Sequence, residues 1–322
     1  MNIVGTGLWG QLLRWMDHPV ATDQYARLKR LPIAHDCTPS VLEFFEGGSL
    51  KHDAVDAAFN RVAKRLRAAR IVFVPALLSG LAIGASRLRL IEYLTHQVRR
   101  LRDEGFDAQL ADVDTGAPVA RNAATLADML VQAHRPTWII SHSKGGLDTL
   151  ETLLARPELQ RFVEGWISFQ APFLGSPVAD AACDSGRARR IGSTALSVLG
   201  ADLQAVCDLR TDVRLRYMDA RAVEIAKMTS TIPVMSVGTH RSFFLPPTGR
   251  WMNGMGLRND GLVPIHSTIL PGSRFAVLEG LAHGEPATRH LLASRRYEHV
   301  DLLKVLLSVL VQAGQDTRKA AA

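Results

Sequence analysis

The 322-residue sequence is poor in aromatic residues, which make up 6% of it, and only four are tyrosines. Arginines are plentiful but scattered (Arg61, Arg65, Arg99, Arg100, Arg102, Arg187, Arg189, Arg190 and Arg221), and no aromatics interleave with them. This excludes a base-stacking platform, so no nucleic-acid partner is expected. The net charge of +7 then reads as solvated helix faces. It leaves room for a weak attraction to anionic surfaces, such as peripheral membrane contact, or to acidic substrates. The three cysteines, Cys37, Cys183 and Cys207, have neither metal-ligand spacing nor a C-x-x-C pair. The histidines form no metal-spaced pair either, so neither a metal nor a cofactor is expected. A sparse, odd cysteine count fits a reducing compartment, though whether Cys183 and Cys207 pair stays open.

Long apolar runs are missing too. The longest candidate, Ile71 to Ala85, is broken by Pro75, Gly80 and Gly84, and the C-terminal run contains Lys304. Neither can span a bilayer. The apolar N-terminus (Leu8, Trp9, Leu12, Trp15) has no basic leader and no small-residue cleavage site, so it is expected to pack on the domain. A cytoplasmic location is the resulting expectation. Nothing in the sequence bears on oligomeric state.

What is present is a globular composition, 47% hydrophobic and 21% charged, in a chain long enough for one large core or two modest ones. Residues 1–50 are broken by glycine and proline and read as a lead-in that packs on the core. Val55, Phe59, Val62 and Leu66 mark a helix over 51–70. Ile71 to Pro75 is a continuous β-branched and aromatic run, as expected of a buried parallel strand. A helix through Leu88, Ile91, Leu94, Val98 and Leu101 follows, then a strand over 106–113 and a helix over 120–133. Trp138 to Ile140 and Gly165 to Phe169 are further strands, with a Leu-rich helix between them. This alternation with short connections predicts βαβ units and a mostly parallel sheet flanked by helices. From 178 to 231 the pattern is helical only and reads as a cap inserted over the site. Strands return at Ile232 to Val237 and at Arg274 to Glu279, followed by a helix from about His290 to Gln312. The core is thus expected at 51–177 and 232–313, with 314–322 as a flexible tail.

Between the Trp138–Ile140 strand and its helix stands Ser141-His142-Ser143-Lys144-Gly145-Gly146. Ser143 has small residues two positions before and after it. That is the pattern of a nucleophile elbow, where strand and helix backbones pass close together and a strained turn lifts a hydroxyl above the sheet edge. Serine hydrolysis also needs a base and a carboxylate that orients the base. Asp260, in Asn259-Asp260-Gly261, follows the penultimate strand, and His283, in Ala282-His283-Gly284, follows the last one. Ser143, Asp260 and His283 therefore run in the order Ser…Asp…His, each at the carboxyl edge of a parallel sheet. Asp260 also reads as an Asx-turn residue beside Gly261, with Asp180 as the alternative acid, and His240 and His266 are rival bases. The oxyanion would sit on the backbone N–H of Lys144 and that of Leu77 or Leu78, in the loop after the Ile71–Pro75 strand.

The elbow, the loop Ala171-Pro172-Phe173-Leu174-Gly175-Ser176-Pro177, the segment Asn259-Asp260-Gly261-Leu262-Val263-Pro264 and the late Ala282-His283-Gly284 together resemble the lipase and esterase branch of the α/β-hydrolase superfamily. The similarity of arrangement covers roughly residues 51–313. It departs from many lipases in lacking a His-Gly pair at the oxyanion loop, which here reads Pro75-Ala76-Leu77-Leu78. The resemblance implies an α/β-hydrolase fold with a helical cap. The apolar cap, the oxyanion loop and Phe243, Phe244 and Leu245 favour a lipid-like or small-molecule ester with an apolar acyl group. Acyl transfer or thioester cleavage would use the same machinery, and a non-catalytic scaffold of this fold would bind a hydrophobic ligand.

Overall fold

The computed structural model of the protein describes residues 22–77, 91–184, 202–241, 246–290 and 298–320. The apolar N-terminus before residue 22, Leu78, the middle of the cap segment and Phe243, Phe244 and Leu245 lie outside the described residues.

Seven strands form one parallel sheet: β1 (His35–Asp36), β2 (Arg70–Val74), β3 (Asp107–Leu110), β4 (Thr137–His142), β5 (Val163–Phe169), β6 (Val234–His240) and β7 (Arg274–Glu279). Their spatial order is β1-β7-β6-β5-β4-β2-β3, and every neighbouring pair is parallel. The central strands are buried on both faces, and alternate residues feed two separate cores. Ile71, Phe73, Trp138 and Ile140 face one core, and Val72, Val74 and Ile139 face the other.

The helices are α1 (His52–Arg67), α2 (Thr95–Asp103), α3 (Val119–Ala133), α4 (Lys144–Ala155), α5 (Pro177–Asp184), α6 (Leu203–Cys207), α7 (Thr211–Ala220), α8 (Ala222–Thr231), α9 (Pro247–Gly254) and α10 (His299–Ala320). Val55, Phe59, Val62 and Leu66 of α1 share the first core with Leu302, Leu303, Leu306 and Leu310 of α10. Leu126 of α3, Leu147, Leu150 and Leu153 of α4, and Ile225 and Met228 of α8 share the second. Helix α8 is thus a layer helix of the sheet, although it lies within the segment read as a cap. Helices α5 and α6 are joined by a Cys183–Cys207 disulfide.

Several expectations are corrected in detail. The helix through Leu88 and Leu101 is not continuous: Ile91–Tyr93 is a short strand, antiparallel to Thr288–His290. The helix starts only after Leu94, whose φ of 53° breaks it. The same pairing takes His290 out of the last helix, which begins at His299. That helix runs on to Ala320, through most of the expected tail. The lead-in supplies β1, an edge strand too short and polar to register as one in sequence.

Candidate active site

The end of β4 and the start of α4 form a tight turn at Ser143, where φ is 53° and ψ is −124°. A non-glycine residue with positive φ is strained and is held only by its surroundings. Here the Ser143 N–H donates to Phe169 O at 2.8 Å, tying the turn to β5. The small flanking residues have steric causes. A Cβ on Gly145 would lie 2.5 Å from Val74 O and 2.6 Å from Pro75 O, and one on Gly146 would lie 2.7 Å from Ser168 Oγ. Helix α4 therefore presses against the end of β2, where the Ala76-Leu77 loop begins. Ser141 is buried, and its Oγ accepts from Trp166 Nε1 at 2.8 Å. It is an internal packing residue.

Three separate loops bring the expected residues together. His283 Nε2 lies 3.1 Å from Ser143 Oγ, and His283 Nδ1 lies 2.9 Å from Asp260 Oδ2. Asp260 is 1% exposed. Its other carboxylate oxygen, Oδ1, accepts from the N–H groups of Leu262 at 2.9 Å and Val263 at 2.8 Å. Asp260 therefore makes both sets of contacts: one oxygen closes the Asx turn and the other meets the histidine. Such a carboxylate is fixed in direction as well as position. The two loops are further joined by the His283 N–H, which donates to Asp260 O at 2.8 Å. The Ala282 N–H donates to Glu285, and Glu285 also pairs with Arg241.

The rivals are engaged elsewhere. Asp180 caps α7, accepting from the Thr211 N–H at 2.7 Å, and burial raises its carboxyl above the ordinary range. His240 meets Glu279 at 2.8 Å. Burial holds His266 below the usual imidazole value.

Of the oxyanion candidates, Lys144 is the first residue of α4 and Leu77 is a half-buried turn residue. The Lys144 side chain is 1% exposed and points into the protein. Its Nζ donates to both oxygens of Asp148, at 2.7 and 3.0 Å, and Asn122 Nδ2 donates to Asp148 Oδ2 at 3.0 Å. Burial pushes the Asp148 carboxyl up to about 6, against the pull of Lys144 and Asn122. The i,i+4 spacing of Lys144 and Asp148 was a readable signal for this pair.

Three more buried residues surround the site: Tyr93, His142 and Gln170. His142 Nδ1 lies 2.9 Å from Tyr93 Oη, and its Nε2 lies 3.1 Å from Gln170 Oε1. Its ring centroid is 5.1 Å from that of His283. Burial, and secondly the proximity of His283, lower the His142 imidazole to about 3, so it is neutral at ordinary pH. Nothing in the sequence marked Tyr93 or Gln170, because their partners lie far away along the chain.

Residues 121–200, which span the elbow, match the lecithin:cholesterol acyltransferase family model. No curated protein sequence matches the chain. Among solved structures, a metagenomic carboxyl esterase, MGS0156, superposes with a TM-score of 0.67 at 16% identity, over 94% of this chain and 98% of that one. The mature lipase BlEst2 of Bacillus licheniformis superposes with a TM-score of 0.54 at 21% identity, over 77% of this chain and 92% of that one. With a seven-stranded parallel sheet, a strained serine elbow and these structural likenesses, the protein has the α/β-hydrolase fold and resembles its lipase and esterase branch.

Proposed function

We propose that the protein is a serine hydrolase that cleaves a lipid-like carboxylic ester with an apolar acyl group. The observation that carries this reading is His283, which bridges Ser143 Oγ and Asp260 within hydrogen-bond distance on its two ring nitrogens. Ser143 Oγ attacks the ester carbonyl carbon and its proton passes to His283 Nε2. Asp260 holds the other ring nitrogen and stabilises the imidazolium that forms. The tetrahedral oxyanion rests on the N–H of Lys144 and that of Leu77 or Leu78. Collapse returns the proton from His283 to the departing alcohol and leaves an acyl-Ser143. Water, deprotonated by His283, then releases the acid.

A fluorophosphonate should modify Ser143 and no other residue, as located by peptide mass spectrometry. On p-nitrophenyl esters from C2 to C16, activity should extend beyond C2. Ser143→Ala should abolish it, and Asp260→Asn should lower kcat on the order of 10⁴-fold. Labelling elsewhere, or an active Ser143→Ala variant, removes the reading.

The match to the lecithin:cholesterol acyltransferase family model favours a second reading, in which the acyl-enzyme passes its acyl group to an alcohol instead of water. Product analysis with an added long-chain alcohol separates the two: transfer yields a new ester and hydrolysis only the free acid.

A further inference from the structure

We propose that Tyr93, His142 and Gln170 form one buried positioning strut that sets the oxyanion loop, the serine elbow and the histidine loop relative to one another. The proposal rests on the serine-hydrolase reading of Ser143, Asp260 and His283. The chain of contacts begins at the oxyanion loop, where the Ala76 N–H donates to Tyr93 Oη at 2.7 Å. Tyr93 Oη meets His142 Nδ1 at 2.9 Å, and His142 Nε2 meets Gln170 Oε1 at 3.1 Å. Gln170 then grips the histidine loop on both sides of His283. Its Oε1 accepts from the Gly284 N–H at 2.8 Å, and its Nε2 donates to Ala282 O at 3.0 Å and also to Thr239 Oγ1.

The donors and acceptors fit in one direction only. Gln170 is fixed with its oxygen toward the Gly284 N–H and its nitrogen toward Ala282 O, so Oε1 can only accept from His142 Nε2, and Nδ1 of neutral His142 accepts from the Tyr93 hydroxyl. The single proton of neutral His142 is therefore on Nε2 and is donated to Gln170 Oε1. Only an amide can complete the chain, because its oxygen takes two donors while its nitrogen gives to two acceptors. Glutamate could not donate to Ala282. Tyr93, His142 and Gln170 are each at most 4% exposed, so the links are shielded from bulk water.

Two further observations assign the strut a role beyond satisfying buried groups. Its middle member directly precedes Ser143 and sits against the His283 ring. A charged His142 there would repel the imidazolium that His283 becomes during turnover, so the chain favours the neutral form. In addition, Gln170 is held at a φ of 52°, a conformation that a residue with a Cβ adopts at a cost. The strain is maintained where the side chain clamps the base. These three residues touch no reacting atom; they act through the backbone at Ala76, next to Leu77, and on either side of His283.

The test has two arms. In wild-type protein labelled with ¹⁵N-histidine, long-range ¹H–¹⁵N spectra at pH 7 should show His142 as the Nε2–H tautomer. An Nδ1–H tautomer or a charged ring overturns the strut. This arm needs neither activity nor a variant. The second arm measures kcat and KM on a p-nitrophenyl ester for Tyr93→Phe, Gln170→Asn and the double variant. Asparagine tolerates positive φ but is one methylene too short to reach both sides of His283. Each single variant should lower kcat about tenfold or more, because small displacements of catalytic groups are costly. KM should stay within about twofold, since uniform binding is untouched. The double variant should lose much less than the product of the single losses, since both cut the same chain. Unchanged kcat, a change in KM alone, or multiplicative losses overturn the proposal. A wild type with no esterase activity would instead refute the serine-hydrolase reading, leaving the tautomer to judge the strut.

Discussion

Behind the nucleophile, Lys144 and Asp148 form an ion pair in which each side chain is 1% exposed. Taking two charges out of water costs several kcal/mol for each ion, and the pair holds only because each member compensates the other, with Asn122 adding a third contact. Removing one partner therefore leaves the other stranded. Asp148→Asn should lower stability by about 3–5 kcal/mol in urea unfolding, with the Lys144 ammonium left buried and uncompensated. The double change Lys144→Met with Asp148→Leu should recover most of that loss, because no charge then remains buried. If the single and double variants are equally unstable, packing and not charge governs the site. The meeting of Ser143, Asp260 and His283 was legible in the sequence because the proposed chemistry constrains residue type, order and place after a strand. Gln170 was not, since its meaning lies in contacts with Ala282 and Gly284, more than a hundred positions away.

At the scale of elements, hydrophobic patterning was a good guide wherever a strand or helix is buried along its length. Strands β2, β4 and β5 and helices α1 and α3 appear where the apolar periodicity put them. It failed where short pieces are defined by a distant partner, as with β1, which pairs Asp36 with Phe275, and with Ile91–Tyr93. The segment between β5 and β6 illustrates both cases. Ile225 and Met228 gave α8 a readable apolar face, but the sequence could not show that this face belongs to the sheet layer. The pairing of Cys183 with Cys207 was also out of reach, because two thiols carry no address. The bond closes a loop with a sequence separation of 24, which by chain entropy corresponds to about 3 kcal/mol. Reduction, or the double change Cys183→Ser with Cys207→Ser, should lower stability by about that amount in denaturant titration. Alkylation of the unfolded, non-reduced protein should then tag only Cys37, the one free cysteine of the three. Three tagged cysteines would show that the bond does not form in the compartment sampled. A formed bond favours an oxidising environment over the reducing one that the cysteine count suggested. Among the described residues, no helix is long and apolar enough to cross a membrane.

At the scale of the whole molecule, burial lowers four histidines, His96, His142, His266 and His299, which link stability to pH in the same direction, and the shifts are large for His142 and His299. His142 lies beneath the site and His299 at the start of α10, 2.9 Å from His96 through their ring nitrogens. Burial is the leading cause in both cases, reinforced by His283 for the first and by His96 and Arg289 for the second, and each imidazole is lowered to about 3. Both rings therefore stay neutral in the folded protein over a range in which the unfolded chain takes up protons. As pH falls below the ordinary imidazole value of about 6.5, the unfolded state gains one proton per ring that the folded state refuses, and stability is lost until about pH 3. Each such proton contributes about 1.4 kcal/mol per pH unit, so the pair contributes about 2.8 kcal/mol per unit between roughly pH 6 and pH 4. His299→Gln removes one of these two strongly shifted groups while leaving the proposed triad and its strut in place. The slope of unfolding free energy against pH, measured by urea titration at half-unit steps over that window, should flatten by about 1.4 kcal/mol per unit in the variant. An unchanged slope would mean that His299 is protonated in the folded state, and that the contact with His96 is an ordinary surface-like pair and not a buried neutral one.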